Sequence, residues 1–114
     1  VDTTAVADGE EDRLTPPEAL APWPMGDLWP GGYVASLDVR PLAAPLPGRA
    51  AAWLSTPLDL VAGETAGPLA SYVALVDTAN GIAVREKPTE WMFPNVDLTI
   101  HLHRQPEGRW TGLD

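Results

Sequence analysis

The chain has 114 residues, 45% of them apolar, and a net charge of −9. That length fits one small domain, and the acidity argues against a nucleic-acid partner, because phosphates need Lys and Arg to displace their counterions. The absence of cysteine removes disulfides, thiolate metal ligands and Cys nucleophiles.

Seven acids (Asp2, Asp8, Glu10, Glu11, Asp12, Glu18 and Asp27) against one base, Arg13, occupy the first 27 residues. Pro16, Pro17, Pro22, Pro24 and Pro30 fall within residues 1–32 and disfavour a long helix. Residues 1–32 therefore read as an acidic, Pro-rich arm or linker. Trp23 and Trp29 interrupt that reading, since two large apolar rings in an arm usually dock on something. The start has no basic segment followed by an apolar one, so it does not read as a signal peptide. No apolar run reaches the roughly 18 residues of a membrane span. A cytoplasmic location suits a chain of this kind.

Tyr33, Ala35, Leu37 and Val39 alternate with Val34, Ser36, Asp38 and Arg40, which predicts a strand over 33–41. Pro45, Pro47 and Gly48 mark a loop, and residues 50–57 read as a second strand ended by Pro57, although their Ala-rich sequence also suits a helix. Pro68 suits the first position of a helix. Leu69, Tyr72, Val73, Val76, Ala79 and Ala83 continue from it at spacings of three and four, predicting one long helix over 68–84. Asn80-Gly81 weakens its last turns. In residues 95–104, Val96, Leu98, Ile100 and Leu102 face one way, while Asn95, Asp97, Thr99, His101 and His103 face the other. That is the clearest strand pattern in the chain. A turn at Pro106-Glu107-Gly108 leads to a further strand over 109–113. A hairpin of these two strands alone is marginal in water, so further strands or a second chain are expected to pair with it.

Two groups of residues invite chemistry. Positions 73, 77, 80 and 84 share one face of the predicted helix, which puts Asp77 among Val73, Val84 and the Asn80 amide. A carboxylate in such surroundings needs a partner, and catalytic sites often accept that cost; a solvated acid at the edge of the stripe is the plain alternative. His101 and His103, at i and i+2 on a strand, have the spacing of a metal-ligand pair. No third ligand accompanies them, so a polar strand face explains them better and no metal is expected. No Gly-x-Ser-x-Gly elbow or phosphate-binding glycine loop is present.

Several pieces, in order, resemble the C-terminal part of the thioesterase-like superfamily, of the acyl-CoA thioesterase II type with a double hotdog. They are Gly32-Tyr33, Leu37-Asp38-Val39-Arg40, Ala52-Trp53-Leu54, Gly67-Pro68-Leu69-Ala70, Asp77-Thr78-Ala79-Asn80-Gly81 and Trp91-Met92-Phe93-Pro94-Asn95, then residues 97–106 and Gly108-Arg109-Trp110. The resemblance runs over 32–114. It implies an α+β hotdog domain over 33–114, with a long central helix wrapped by an antiparallel sheet that lacks its last strands in this chain. It also implies pairing with another hotdog chain or domain.

The implied activity is hydrolysis of a fatty acyl-CoA by an activated water, with no cofactor. In that family a helix aspartate, a Thr/Ser-type residue opening the next strand and a later glutamine hold the water. Asp77 matches the aspartate. Asn95 falls at the Thr/Ser position, a departure from the pattern, and the glutamine has no counterpart up to Asp114. Asp77 and Asn95 are thus the expected catalytic residues, with Asn80, Gly81 and Thr99 expected to contact substrate. A non-catalytic hotdog that binds acyl groups or pairs with a catalytic homologue is the alternative. A hotdog dehydratase would want a His beside the helix acid, whereas both His here lie on the strand pattern.

Overall fold

Three short antiparallel strands carry the core: β1 (Asp38–Pro41), β2 (Ala52–Ser55) and β3 (Thr111–Leu113). The computed structural model describes residues 14–114, so the acidic run at 8–12 lies outside the described residues. The strand order is β1-β2-β3. Val39 faces Leu54 across one pair, and Leu54 faces Thr111 across the other. Leu54 is fully buried at the centre. Gly112 stands opposite Trp53, and a Cβ there would come within 3.0 Å of the Trp53 ring. Pro41, which cannot donate to a ladder, ends an outer strand, where that loss is tolerated.

The described part of the arm lies against the sheet. Its two 3-10 turns, Pro17–Ala19 and Met25–Asp27, bury Pro17 and Met25. Met25 joins Val39, Ala52, Leu54 and Ile82 in the core, with Trp23 and Trp29 packed around them. The Trp23 amide donates to the Val39 carbonyl at 2.8 Å, which covers β1 on the side away from β2. Arg40 holds the arm down: its guanidinium makes two bonds to the Asp38 carboxylate, at 2.9 and 3.0 Å, and donates to the Pro17 and Leu20 carbonyls at 3.2 and 3.1 Å. Trp53 Nε1 donates to Thr15 O at 3.0 Å. Trp110 receives both the Arg40 and Arg109 guanidiniums at 5.4 and 5.3 Å from its ring centre.

The strand expected over 33–41 is shorter. Its first part is a single helical turn, α1 (Gly32–Ala35), entered at Gly31 with φ +136°. Val34 and Leu37, three apart, both pack on the core from this turn, and the Tyr33 hydroxyl reaches across to the second helix. Tertiary contacts outweigh the alternation here.

The expected long helix is divided in two: α2 (Pro68–Val76) and α3 (Ala79–Ile82). The break has a hydrogen-bond cause. Tyr33 donates its hydroxyl to Ala74 O at 2.8 Å, the carbonyl that the Thr78 amide would use in a continuous helix. The Thr78 amide donates to Leu75 O instead, at 3.1 Å. The buried Thr78 hydroxyl bonds the Tyr33 oxygen at 2.8 Å. The stripe also differs from expectation, since Leu75 and Val76 are buried while Leu69 and Val73 are exposed.

Residues 95–104 form no strand, despite their alternation. Val96 is 98% exposed, and Leu98, Ile100 and Leu102 are exposed too. The pattern encodes one covered face and one paired edge. Within the described residues neither exists, because β3 pairs with β2 and not with this segment. Among the described residues the result is a small α+β architecture with a three-stranded antiparallel sheet, compatible with part of a hotdog and without a long central helix.

Candidate functional site

The break between α2 and α3 places Asp77. It is the residue that caps the C-terminal end of α2, and it is exposed. Helix carbonyls point at this end, so a carboxylate finds no help from the α2 dipole and needs donors from elsewhere. Asn95 supplies one. The segment after the 87–90 turn, closed by the Trp91 amide donating to Lys87 O at 3.1 Å, carries Asn95 back to the break. There Asn95 Nδ2 donates to Asp77 Oδ1 at 2.9 Å. Asn80, on α3, donates from Nδ2 to Asn95 Oδ1 at 3.2 Å.

The three side chains form one directional chain of hydrogen bonds, Asn80 to Asn95 to Asp77. A carboxylate only accepts, so Asn95 must turn its NH₂ toward Asp77 and its carbonyl toward Asn80. Asn95 does not engage the second Asp77 oxygen, Oδ2. An exposed carboxylate oxygen beside an amide can accept a proton from water and orient it.

The other expected residues lie apart. Gly81 is buried: its carbonyl accepts from Trp29 Nε1 at 2.9 Å, and a Cβ on it would meet Met25 Cε at 3.0 Å. It faces the core. Thr99 is exposed, four residues beyond Asn95 and outside the hydrogen-bonded chain. His101 and His103 are exposed on the same irregular segment. Among the described residues no group of three or more His, Asp or Glu side chains could hold a metal ion.

Two residues that sequence reasoning passed over shape the site, Tyr33 and Thr78. Their bonds hold open the helix break on which Asp77 sits. The available signal was Thr78 itself, a β-branched hydroxyl residue that loses rotamer freedom inside a helix. Close by, a cavity of about 230 Å³ opens between the 48–50 turn, α3 and the end of β3. Ala79 and Ile82 of α3 line it, with Ala83 just beyond the helix and Arg49 on the turn.

One family model matches the chain, described as acyl-CoA thioesterase C-terminal domain, over residues 16–114. No curated protein and no solved structure matches it. Among the described residues, no helix is long and apolar enough to cross a membrane.

Proposed function

The chain belongs to the acyl-CoA thioesterase C-terminal domain family, and on that premise we propose that it takes part in the hydrolysis of fatty acyl-CoA by a water held at Asp77 and Asn95. The observation that supports this reading is the 2.9 Å bond from Asn95 Nδ2 to Asp77 Oδ1. It joins two side chains, 18 residues apart, at the positions the resemblance assigns to water holding.

In this reading Asp77 Oδ1 is fixed by Asn95 and Oδ2 accepts a proton from the attacking water. The water oxygen adds to the thioester carbonyl, the C–S bond breaks, and the proton held on Oδ2 passes to the departing thiolate, leaving a fatty acid and the CoA thiol. Positioned acid–base groups of this kind contribute on the order of 10²–10⁴-fold. Thr99, exposed beyond Asn95, is proposed to meet the substrate further out.

We also propose that the site works with a second hotdog, in the same protein or in a partner chain. Val96, Leu98, Ile100 and Leu102 support this, since their alternation suits a strand and their apolar face is uncovered.

The test is Asp77→Asn in the full chain, assayed by thiol release from medium- and long-chain acyl-CoA. Turnover should fall by about 10²-fold or more. Unchanged turnover moves the chemistry away from Asp77. A wild type that binds acyl-CoA but hydrolyses none supports the alternative of a non-catalytic acyl-binding hotdog.

A further inference from the structure

We propose that Asn80 is a positioning residue that sets the direction of the Asn95 amide and does not itself contact substrate. The inference rests on the reading that Asp77 and Asn95 hold the water.

A side-chain amide has two faces of similar shape and opposite polarity. Asn95 can present either its NH₂ or its oxygen to Asp77, and only the NH₂ is useful there. Asp77 favours that orientation from one side. Asn80 favours it from the other, because its Nδ2 donates to Asn95 Oδ1 at 3.2 Å. Flipping Asn95 would bring its oxygen against the Asp77 carboxylate, and its NH₂ would meet an acceptor on Asn80 only if the Asn80 amide turned over too, so the wrong arrangement needs two rotations and still faces Asp77. Asn95 sits on an irregular and exposed stretch of chain. No strand ladder fixes its backbone, so side-chain bonds must supply the order. Asn80 is suited to this because α3 is anchored through its next residue, Gly81, whose carbonyl accepts from Trp29. With its Nδ2 given to Asn95, Asn80 acts on the reaction through Asn95.

The consequence is a reversed order of substitution effects. Asn80→Ala removes one anchor, and Asp77 still favours the correct orientation. Asn80→Asp, although nearly isosteric, puts an acceptor where a donor stood and competes with Asp77 for the Asn95 NH₂. If Asn80 only packed, or only contacted substrate through its shape, the isosteric change would be the milder one.

The experiment is steady-state hydrolysis of an acyl-CoA by the full chain and by Asn80→Ala, Asn80→Asp and Asp77→Asn. It is accompanied by amide NMR of the Asn95 side chain. Asn80 is exposed, so neither substitution opens the core. The expected loss in kcat is about fivefold for Asn80→Ala, the scale of one neutral hydrogen bond. For Asn80→Asp it is about thirtyfold, as the bond is lost and the wrong orientation is also favoured. KM should not change in either, because binding in the ground state is untouched. The gap between the two variants should persist in high salt, where a simple charge effect at an exposed site is screened. In the spectra, the two Asn95 NH₂ protons should be widely split in the wild type, less so in Asn80→Ala and least in Asn80→Asp.

A rise in KM at constant kcat, or Asn80→Ala more harmful than Asn80→Asp, would overturn the proposal. An Asn95 spectrum indifferent to both variants would overturn it too. If Asp77→Asn is fully active while the Asn95 splitting still collapses in Asn80→Asp, the orienting role stands and the catalytic reading fails. If Asp77→Asn is inactive while the Asn80 variants change neither kcat nor the spectrum, the catalytic reading stands and the orienting role fails.

Discussion

Residues 14–55 and residues 91–105 are both rich in aromatic or branched side chains, yet only the first region puts them into the core. In the first, Trp23, Met25 and Leu54 share a core, and Arg40 fixes the arm through Asp38 and two backbone carbonyls. In the second, Trp91 and Phe93 stack on each other at 6.3 Å in the open, and Val96, Leu98, Ile100 and Leu102 are all exposed. The difference teaches that an apolar pattern states a need for cover, and that cover depends on which neighbours the chain can bring to it. The arm looks less like a structural segment by composition, but it has partners. The segment at 95–104 has the better pattern, yet Val96, Leu98, Ile100 and Leu102 stay exposed and no strand pairs with it among the described residues.

Substitutions can break or sharpen this contrast. The largest effect belongs to Leu54→Ala at the centre of β2, which should cost about 3 kcal/mol in denaturant unfolding, because a fully buried side chain is exchanged for a cavity. Arg40→Ala should destabilise less than Leu54→Ala, through the loss of its bonds to Asp38, Pro17 and Leu20. It should also expose Trp23, seen as a red shift in fluorescence; an unshifted spectrum would mean that the arm docks without Arg40. Tyr33→Phe should cost about 1 kcal/mol by leaving Ala74 O and the buried Thr78 hydroxyl short of a partner. Val96→Ser should change unfolding by less than about 0.5 kcal/mol, as expected of an exposed site. A large loss from Val96→Ser that depends on protein concentration would show that a partner covers this segment in solution.

Much of the architecture is legible from local pattern. Pro68 marks the start of α2, Pro57 closes the region of β2, and the alternation around Val39 yields β1. Helix-face spacing put Asp77 near Asn80 and the resemblance added Asn95; the hydrogen bonds join the three across the break between α2 and α3. What escaped the sequence depends on distant contacts. The turn at Gly32–Ala35 forms because Val34 and Leu37 pack on the core and Tyr33 reaches α2. The break after Val76 forms because Tyr33, 41 residues earlier in the chain, takes the Ala74 carbonyl. The segment at 95–104 fails as a strand because periodicity says which face wants burial and says nothing of whether a neighbour is present. Gly81, expected at the substrate, faces Met25 and Trp29, because its missing side chain is what lets them close over α3.

The most direct measurement of the central claim is a double-mutant cycle on Asp77 and Asn95, read as thiol release from an acyl-CoA. If the two side chains hold one water, they act as a unit. Asp77→Asn should then remove about 10²-fold of turnover, Asn95→Ala about tenfold, and the pair together little more than Asp77→Asn alone. Losses that multiply in the double variant, to about 10³-fold, would contradict a shared water and make the bond between Asp77 and Asn95 a structural contact only.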